Sequence, residues 1–136
     1  IESYEPTNNR SELVKTSSNT LIVDAYNANP TSMAAALDSF AQIATSQPKM
    51  AILGDMRELG DVSEAEHQKV VDTLKDKGFE DVWLVGEEFG KTQCDFHKYN
   101  NVEEVKQAIA SEKPSGKCIL IKGSNGTKLF ELPKLL

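Results

Sequence analysis

Thr20-Leu-Ile-Val-Asp-Ala-Tyr-Asn-Ala-Asn-Pro-Thr-Ser-Met33 carries an apolar run through a polar loop into the periodic segment Ala34-Ala-Ala-Leu-Asp-Ser-Phe40. A short run rich in β-branched residues reads as a strand, here over about 20–26. Met33, Leu37, Phe40, Ala41 and Ala44 recur at intervals of three and four, which predicts one apolar face of a helix over about 31–45. Pro30 suits a first helical turn, where its missing N–H would have no partner. Strand, loop and helix therefore follow one another, and the loop at the carboxyl end of a strand is where open α/β sheets take their ligands.

The same alternation extends in both directions. Strands are expected at about 11–16, 49–54, 81–86, 95–99 and 117–122, each an apolar or β-branched run bounded by turn residues. A second helix is expected over about 63–77, opened by a Ser63 and Glu66 capping box and ended before Gly78, with Val70, Val71 and Leu74 inward. A third spans about 102–112, with Val102, Val105 and Ile109 inward, and a last helical turn follows Gly126. Leu21-Ile-Val, Met50-Ala-Ile-Leu, Val82-Trp-Leu-Val and Ile119-Leu-Ile are apolar without a break, as strands covered on both faces must be. The fold class is thus α/β, a mostly parallel sheet of about six strands with helices on both faces. Glu2 to Asn19, rich in Pro, Asn and Ser, reads as a linker entering an edge strand.

With 136 residues, 39% hydrophobic and 26% charged, the chain has the makeup of a single domain, 1–136, with its own core. A net charge of -6 provides no basic stripe for nucleic acid and is unhelpful on an anionic membrane, so neither partner is expected. Cys94 and Cys118 lack metal-site spacing and read as reduced thiols of a cytoplasmic protein, and no signal peptide or long apolar run appears. The chain opens on Ile1 rather than Met, so the expectation is a piece of a longer protein in which 1–10 link to a preceding domain.

Parallel strands bring their carboxyl ends to one rim, which here gathers Asp24 to Ser32, Gly54-Asp-Met-Arg-Glu-Leu-Gly60 and Lys122-Gly-Ser-Asn-Gly126. Asp24 can accept from ribose hydroxyls or tie down its own loop. Asn27 and Asn29 offer amides to a ligand or to the turn backbone. Asp55, Arg57 and Glu58 read as a solvated charge cluster unless a ligand claims them. Lys122 and Ser124 pair an ammonium with a hydroxyl, a set suited to carboxylate or phosphate. Arg10 sits in the entry segment, where its charged fork suits phosphate oxygens. His67, a lone helical histidine, reads as structural. No P-loop and no G-x-G-x-x-G pattern occurs, so this chain has no triphosphate cradle of that type.

The Asp24–Met33 string with its Tyr-Asn-Ala-Asn-Pro core, Leu53-Gly-Asp-Met-Arg-Glu-Leu-Gly60, Lys122-Gly-Ser124 and the Asn-Asn-Arg10 entry resemble, in order, the C-terminal domain of the Mur peptide ligases, MurF branch. His67 downstream of the Glu-Leu-Gly loop adds to the match. The resemblance implies a Rossmann-like domain of a three-domain, ATP-dependent ligase that joins D-alanyl-D-alanine to UDP-N-acetylmuramoyl-tripeptide in peptidoglycan synthesis. It implies that the P-loop and the Mg2+ ligands belong to a central domain and the UDP-sugar to an N-terminal one, with hinge closure about 1–10. It sends Arg10 toward the ATP phosphates; within that scheme Asp24, Asn27 and Asn29 are expected to hold the ribose or adenine side of ATP, with no catalytic group or metal ligand in this domain alone. Charge complementarity then nominates Asp55, Glu58, Lys122, Ser124 and Asn125 for the dipeptide. The competing expectations are a phosphoacceptor receiver-like domain using Asp24, Asp55 and Lys122, and a non-catalytic nucleotide-binding module.

Overall fold

A computed structural model describes residues 12–24 and 28–136. Its elements run β1 (Glu12–Lys15), β2 (Thr20–Asp24), α1 (Pro30–Ala41), β3 (Lys49–Gly54), α2 (Ser63–Asp76), β4 (Val82–Val85), α3 (Glu87–Gly90), β5 (His97–Tyr99), α4 (Val102–Ser111) and β6 (Cys118–Lys122). Short 3-10 turns precede α2 and follow β6. The six strands form one sheet in the order β1-β2-β6-β3-β4-β5. β1 pairs antiparallel at one edge, and all other pairings are parallel. The α/β class, the six strands and the edge position of the first strand stand as the sequence implied.

Alternation along each central strand divides the core in two. Ala51, Leu53, Val82, Leu84, Cys118 and Leu120 face α1, α2 and α3. Leu21, Val23, Met50, Ile52, Trp83, Ile119 and Ile121 face α4 and the 3-10 turns that carry Leu129, Leu132 and Leu136. Burial on both faces explains the unbroken apolar runs, and each fully buried side chain of this size stabilises by about 1.5–3 kcal/mol.

Three local expectations are corrected. The first helix stops at Ala41 rather than near 45, and Ala44 is exposed rather than inward. Lys49 ends it by donating to the Ala41 carbonyl at 2.8 Å while its ammonium lies over the Phe40 ring. The capping box at Ser63 does not form: the N-cap is Val62, and the Ser63 hydroxyl donates to Glu88 instead. One helix, α3, had no sequence signal. Its first-turn N–H groups are satisfied by the Asp55 carboxylate, Oδ2 accepting from Glu88 and Oδ1 from Phe89, each at 3.0 Å. A cap supplied from 33 residues away leaves no local signature.

Candidate functional site

In-register pairing of β2 with β6 sets Asp24 opposite Lys122 at the carboxyl ends of adjacent strands. Their side chains meet, Lys122 Nζ standing 2.7 Å from Asp24 Oδ2. The Lys122 side chain is only 2% exposed and that of Asp24 14%, so the pair is largely removed from water. A salt bridge in that setting is poor evidence of stabilisation, because desolvation of both ions offsets most of the attraction. It does fix two charges of opposite sign at a known place on the rim.

Two residues further on, Ser124 is 7% exposed, and its Oγ is the buried side-chain polar atom without a hydrogen-bond partner among the described residues. Buried hydroxyls are normally satisfied, so an orphan at a strand end calls for a ligand or water to complete it. The backbone of Ser124 is held by its N–H donating to the Asp55 carbonyl, and its own carbonyl accepts from Thr127 N–H and Oγ1. Asn125 begins the following 3-10 turn; its side chain lies outside the described residues. Arg10 and Asn27 also lie outside them.

Beyond β3, β4 and β5 the rim opens into a cleft of about 820 Å³, within the range of small-molecule sites. Its walls include Asp55, Arg57, Glu58 and Ser63 on one side and Gly126 and Lys128 on another. Asp55 lines it with a side chain only 14% exposed. Burial pushes its carboxyl above the ordinary carboxylate value, opposed by the two backbone N–H bonds from α3. Glu58 and Lys128 hold left-handed backbone, φ 63° and 59°, and both line the cleft. Non-glycine residues in that region carry strain that clusters at ligand sites.

Arg57 is exposed, as the reading of a solvated charge implies. Its guanidinium lies beside Gly126, where an added Cβ would come within 1.9 Å of Nη1. Only a residue without a side chain admits it, and this seats a planar cation in the cleft wall. No sequence signal links the two, because they approach only when β3 and β6 lie side by side. Asn29 takes a structural part: it caps α1, its Oδ1 accepting from Ser32 N–H at 2.8 Å while Ser32 Oγ accepts from Asn29 N–H. Among the described residues no group of three or more His, Cys, Asp or Glu is placed to hold a metal ion.

The Ser63 hydroxyl, donating to Glu88 Oε1 at 2.7 Å, is the main cause that holds the Glu88 carboxyl below its ordinary range. A lowered carboxyl stabilises the fold above its unfolded pKa and loses that contribution as pH falls through the folded value. Ser63→Ala is expected to move the Glu88 titration midpoint upward, followed by the carboxyl 13C shift, and an unmoved midpoint would refute the assignment.

Residues 9–125 match the family described as Mur ligase, glutamate ligase domain. The chain is 34% identical to the UDP-N-acetylmuramoyl-tripeptide–D-alanyl-D-alanine ligase of Bacillus subtilis (strain 168), covering 98% of this chain and 32% of that protein. It is 32% identical to the Escherichia coli (strain K12) ligase of the same name, over 85% of this chain and 26% of that protein. Among solved structures, MurF from Acinetobacter baumannii superposes with a TM-score of 0.76 at 27% identity, covering 92% of this chain and 30% of that one. MurF ligase from Thermotoga maritima, solved in complex with ADP, shares the fold with a TM-score of 0.76 at 18% identity, over 93% of this chain and 30% of that one. The chain thus spans about a third of the length of the curated relatives it matches.

Proposed function

We propose, since this chain belongs to the Mur ligase family as its glutamate ligase domain, that it forms one wall of the active site of a MurF-type ligase. The complete protein would use ATP to activate the carboxylate of UDP-N-acetylmuramoyl-tripeptide and join it to D-alanyl-D-alanine. The ATP γ-phosphoryl group passes to that carboxylate, giving an acyl phosphate and ADP. The dipeptide amine then attacks the acyl carbon, and phosphate leaves from a tetrahedral intermediate as the amide forms. Holding the amine against the acyl phosphate and neutralising charge would supply much of the rate. The Mg2+ that accompanies ATP is assigned to residues of the domains that precede this chain, as is the P-loop. The receiver-like alternative is not favoured, since family and relatives both point to ligases.

The observation that carries this reading is the convergence, on one strand-end rim, of the Asp24 and Lys122 pair, the orphaned Ser124 hydroxyl and the Arg57 wall of the cleft. Asp24, Asn27 and Asn29 are assigned to the ribose or adenine side of ATP, and Arg10 to its phosphates. Ser124, Lys122 and the Asn125 turn face the dipeptide carboxylate, joined by Arg57, whose fork matches two carboxylate oxygens. Asp55 and Glu58 supply the negative charge that an ammonium requires.

Phosphate release by the complete protein is expected to require ATP, the UDP-sugar tripeptide and D-alanyl-D-alanine together. Release indifferent to the dipeptide would overturn the assignment. Gly126→Ala tests the cleft: a Cβ at 1.9 Å displaces the mobile end of Arg57 rather than the backbone. The dipeptide KM is expected to rise about tenfold, the loss of one charge-assisted contact, with ATP KM and melting temperature little changed. Unchanged dipeptide KM would remove Arg57 from the site.

A further inference from the structure

His67 lies on α2, wholly buried at 0% exposure, with no face on the cleft. Its two ring nitrogens are both engaged by backbone. Nε2 accepts from the Met56 N–H at 3.0 Å, and Nδ1 stands 2.7 Å from the Ser63 carbonyl. A carbonyl can only accept, so Nδ1 carries the proton and Nε2 keeps its lone pair. The ring packs edge-on against Phe89, centroids 4.7 Å apart. The charged groups that face it are both acidic: Asp55 from the end of β3, with Oδ1 3.9 Å from Nε2, and Glu88 from α3. Asp55 does not displace Met56 as a partner, because 3.9 Å is beyond hydrogen-bond distance and the Met56 N–H stands at 3.0 Å.

Met56 is the residue immediately before Arg57 and Glu58, two charges that, with Asp55, this loop places along the cleft. Past it the chain turns through left-handed backbone at Glu58, φ 63°, and Gly60, φ 57°. A path of that kind persists only where its surroundings over-determine it. The Met56 side chain, 2% exposed, fastens one side of the residue into the core, and the His67 lone pair fastens its backbone.

We infer that His67 is a positioning residue: in its neutral, Nδ1-protonated tautomer it anchors the 55–60 loop to α2 through the Met56 N–H, and so sets where Arg57 and Glu58 stand in the cleft. The anchor itself rests on geometry alone; its effect on the dipeptide rests on the ligase reading. Protonation of Nε2 would bring a second N–H against that of Met56 and abolish the bond. A base role is closed to His67, since its one lone pair is used and buried.

The test uses the complete protein with 15N only in its histidine side chains. The wild-type signals missing from His67→Gln are expected to show a protonated Nδ1 and a bare Nε2; a protonated Nε2 overturns the proposal whatever the enzyme does. His67→Leu keeps bulk without an acceptor, and amide exchange at Met56 to Glu58 is expected to quicken about tenfold, the loss of one buried hydrogen bond, with the dipeptide KM rising by a similar factor. His67→Gln, whose side-chain oxygen can accept in place of Nε2, is expected to recover most of both. Unchanged exchange in His67→Leu, or equal loss in both variants, defeats the anchor. Altered exchange with no dipeptide-dependent turnover even in wild type would keep the anchor and defeat the ligase reading.

Discussion

Gly86→Ala is expected to destabilise the fold by about 3–5 kcal/mol, the sum of a strained backbone and an overpacked contact. Gly86 holds φ +124°, a conformation that side-chain-bearing residues rarely adopt, and an added Cβ would lie 2.3 Å from the Asp55 carboxyl carbon. That carboxylate cannot retreat cheaply, because both oxygens are bound by the N–H groups that open α3. Displacing it would uncap α3 and disturb the cleft lining together. Gly90, four residues on, has open space around the corresponding Cβ position, so Gly90→Ala serves as the control and should leave stability nearly unchanged. Urea unfolding of the two variants decides the matter, and similar midpoints would refute this account of the β4 to α3 junction.

Lys122→Met ranks next. Removing one partner of a buried ion pair costs roughly 3–5 kcal/mol, since the other charge stays in a poorly solvated place. Here the lower end applies, because Asp24 keeps 14% side-chain exposure. Asp24→Asn combined with Lys122→Met should recover part of that loss, the signature of coupled neighbours. Stability and turnover separate the roles: if both charges serve the ligand, the double variant regains stability yet remains at least about tenfold slower in ligation, as loss of transition-state contacts requires. A double variant that ligates like wild type would reduce the pair to a structural contact.

The sequence reveals the sheet because its central strands are apolar on both faces, a pattern that leaves few alternatives. The shared rim was readable for the same reason: parallel strands must deliver Asp24, Gly54 and Lys122 to one side. What sequence could not reveal is how those groups satisfy one another. The 2.7 Å bond between Asp24 and Lys122 depends on register across 98 positions. Ser63 was read as a helix cap from its spacing to Glu66, but Glu88, brought close by α3, takes the hydroxyl. α3 itself has no periodicity to detect in four residues and owes its first turn to Asp55. The contact of Arg57 with Gly126 has no local signal, because the two lie in different segments. In each case a partner remote in the chain overrode a local preference.

The position of β6 has a temporal consequence. β1-β2 and β3-β4-β5 border each other nowhere, and residues 118–122 join them from between. During translation, therefore, the two halves leave the ribosome as separate ribbons, each with an open edge, until that span emerges. The keystone strand and the Lys122 it carries arrive in the same few residues, so the rim is completed at the moment the sheet becomes continuous. A nascent chain halted before residue 118 would be a good substrate for proteases and holdase chaperones, and one released past the 3-10 turns would not.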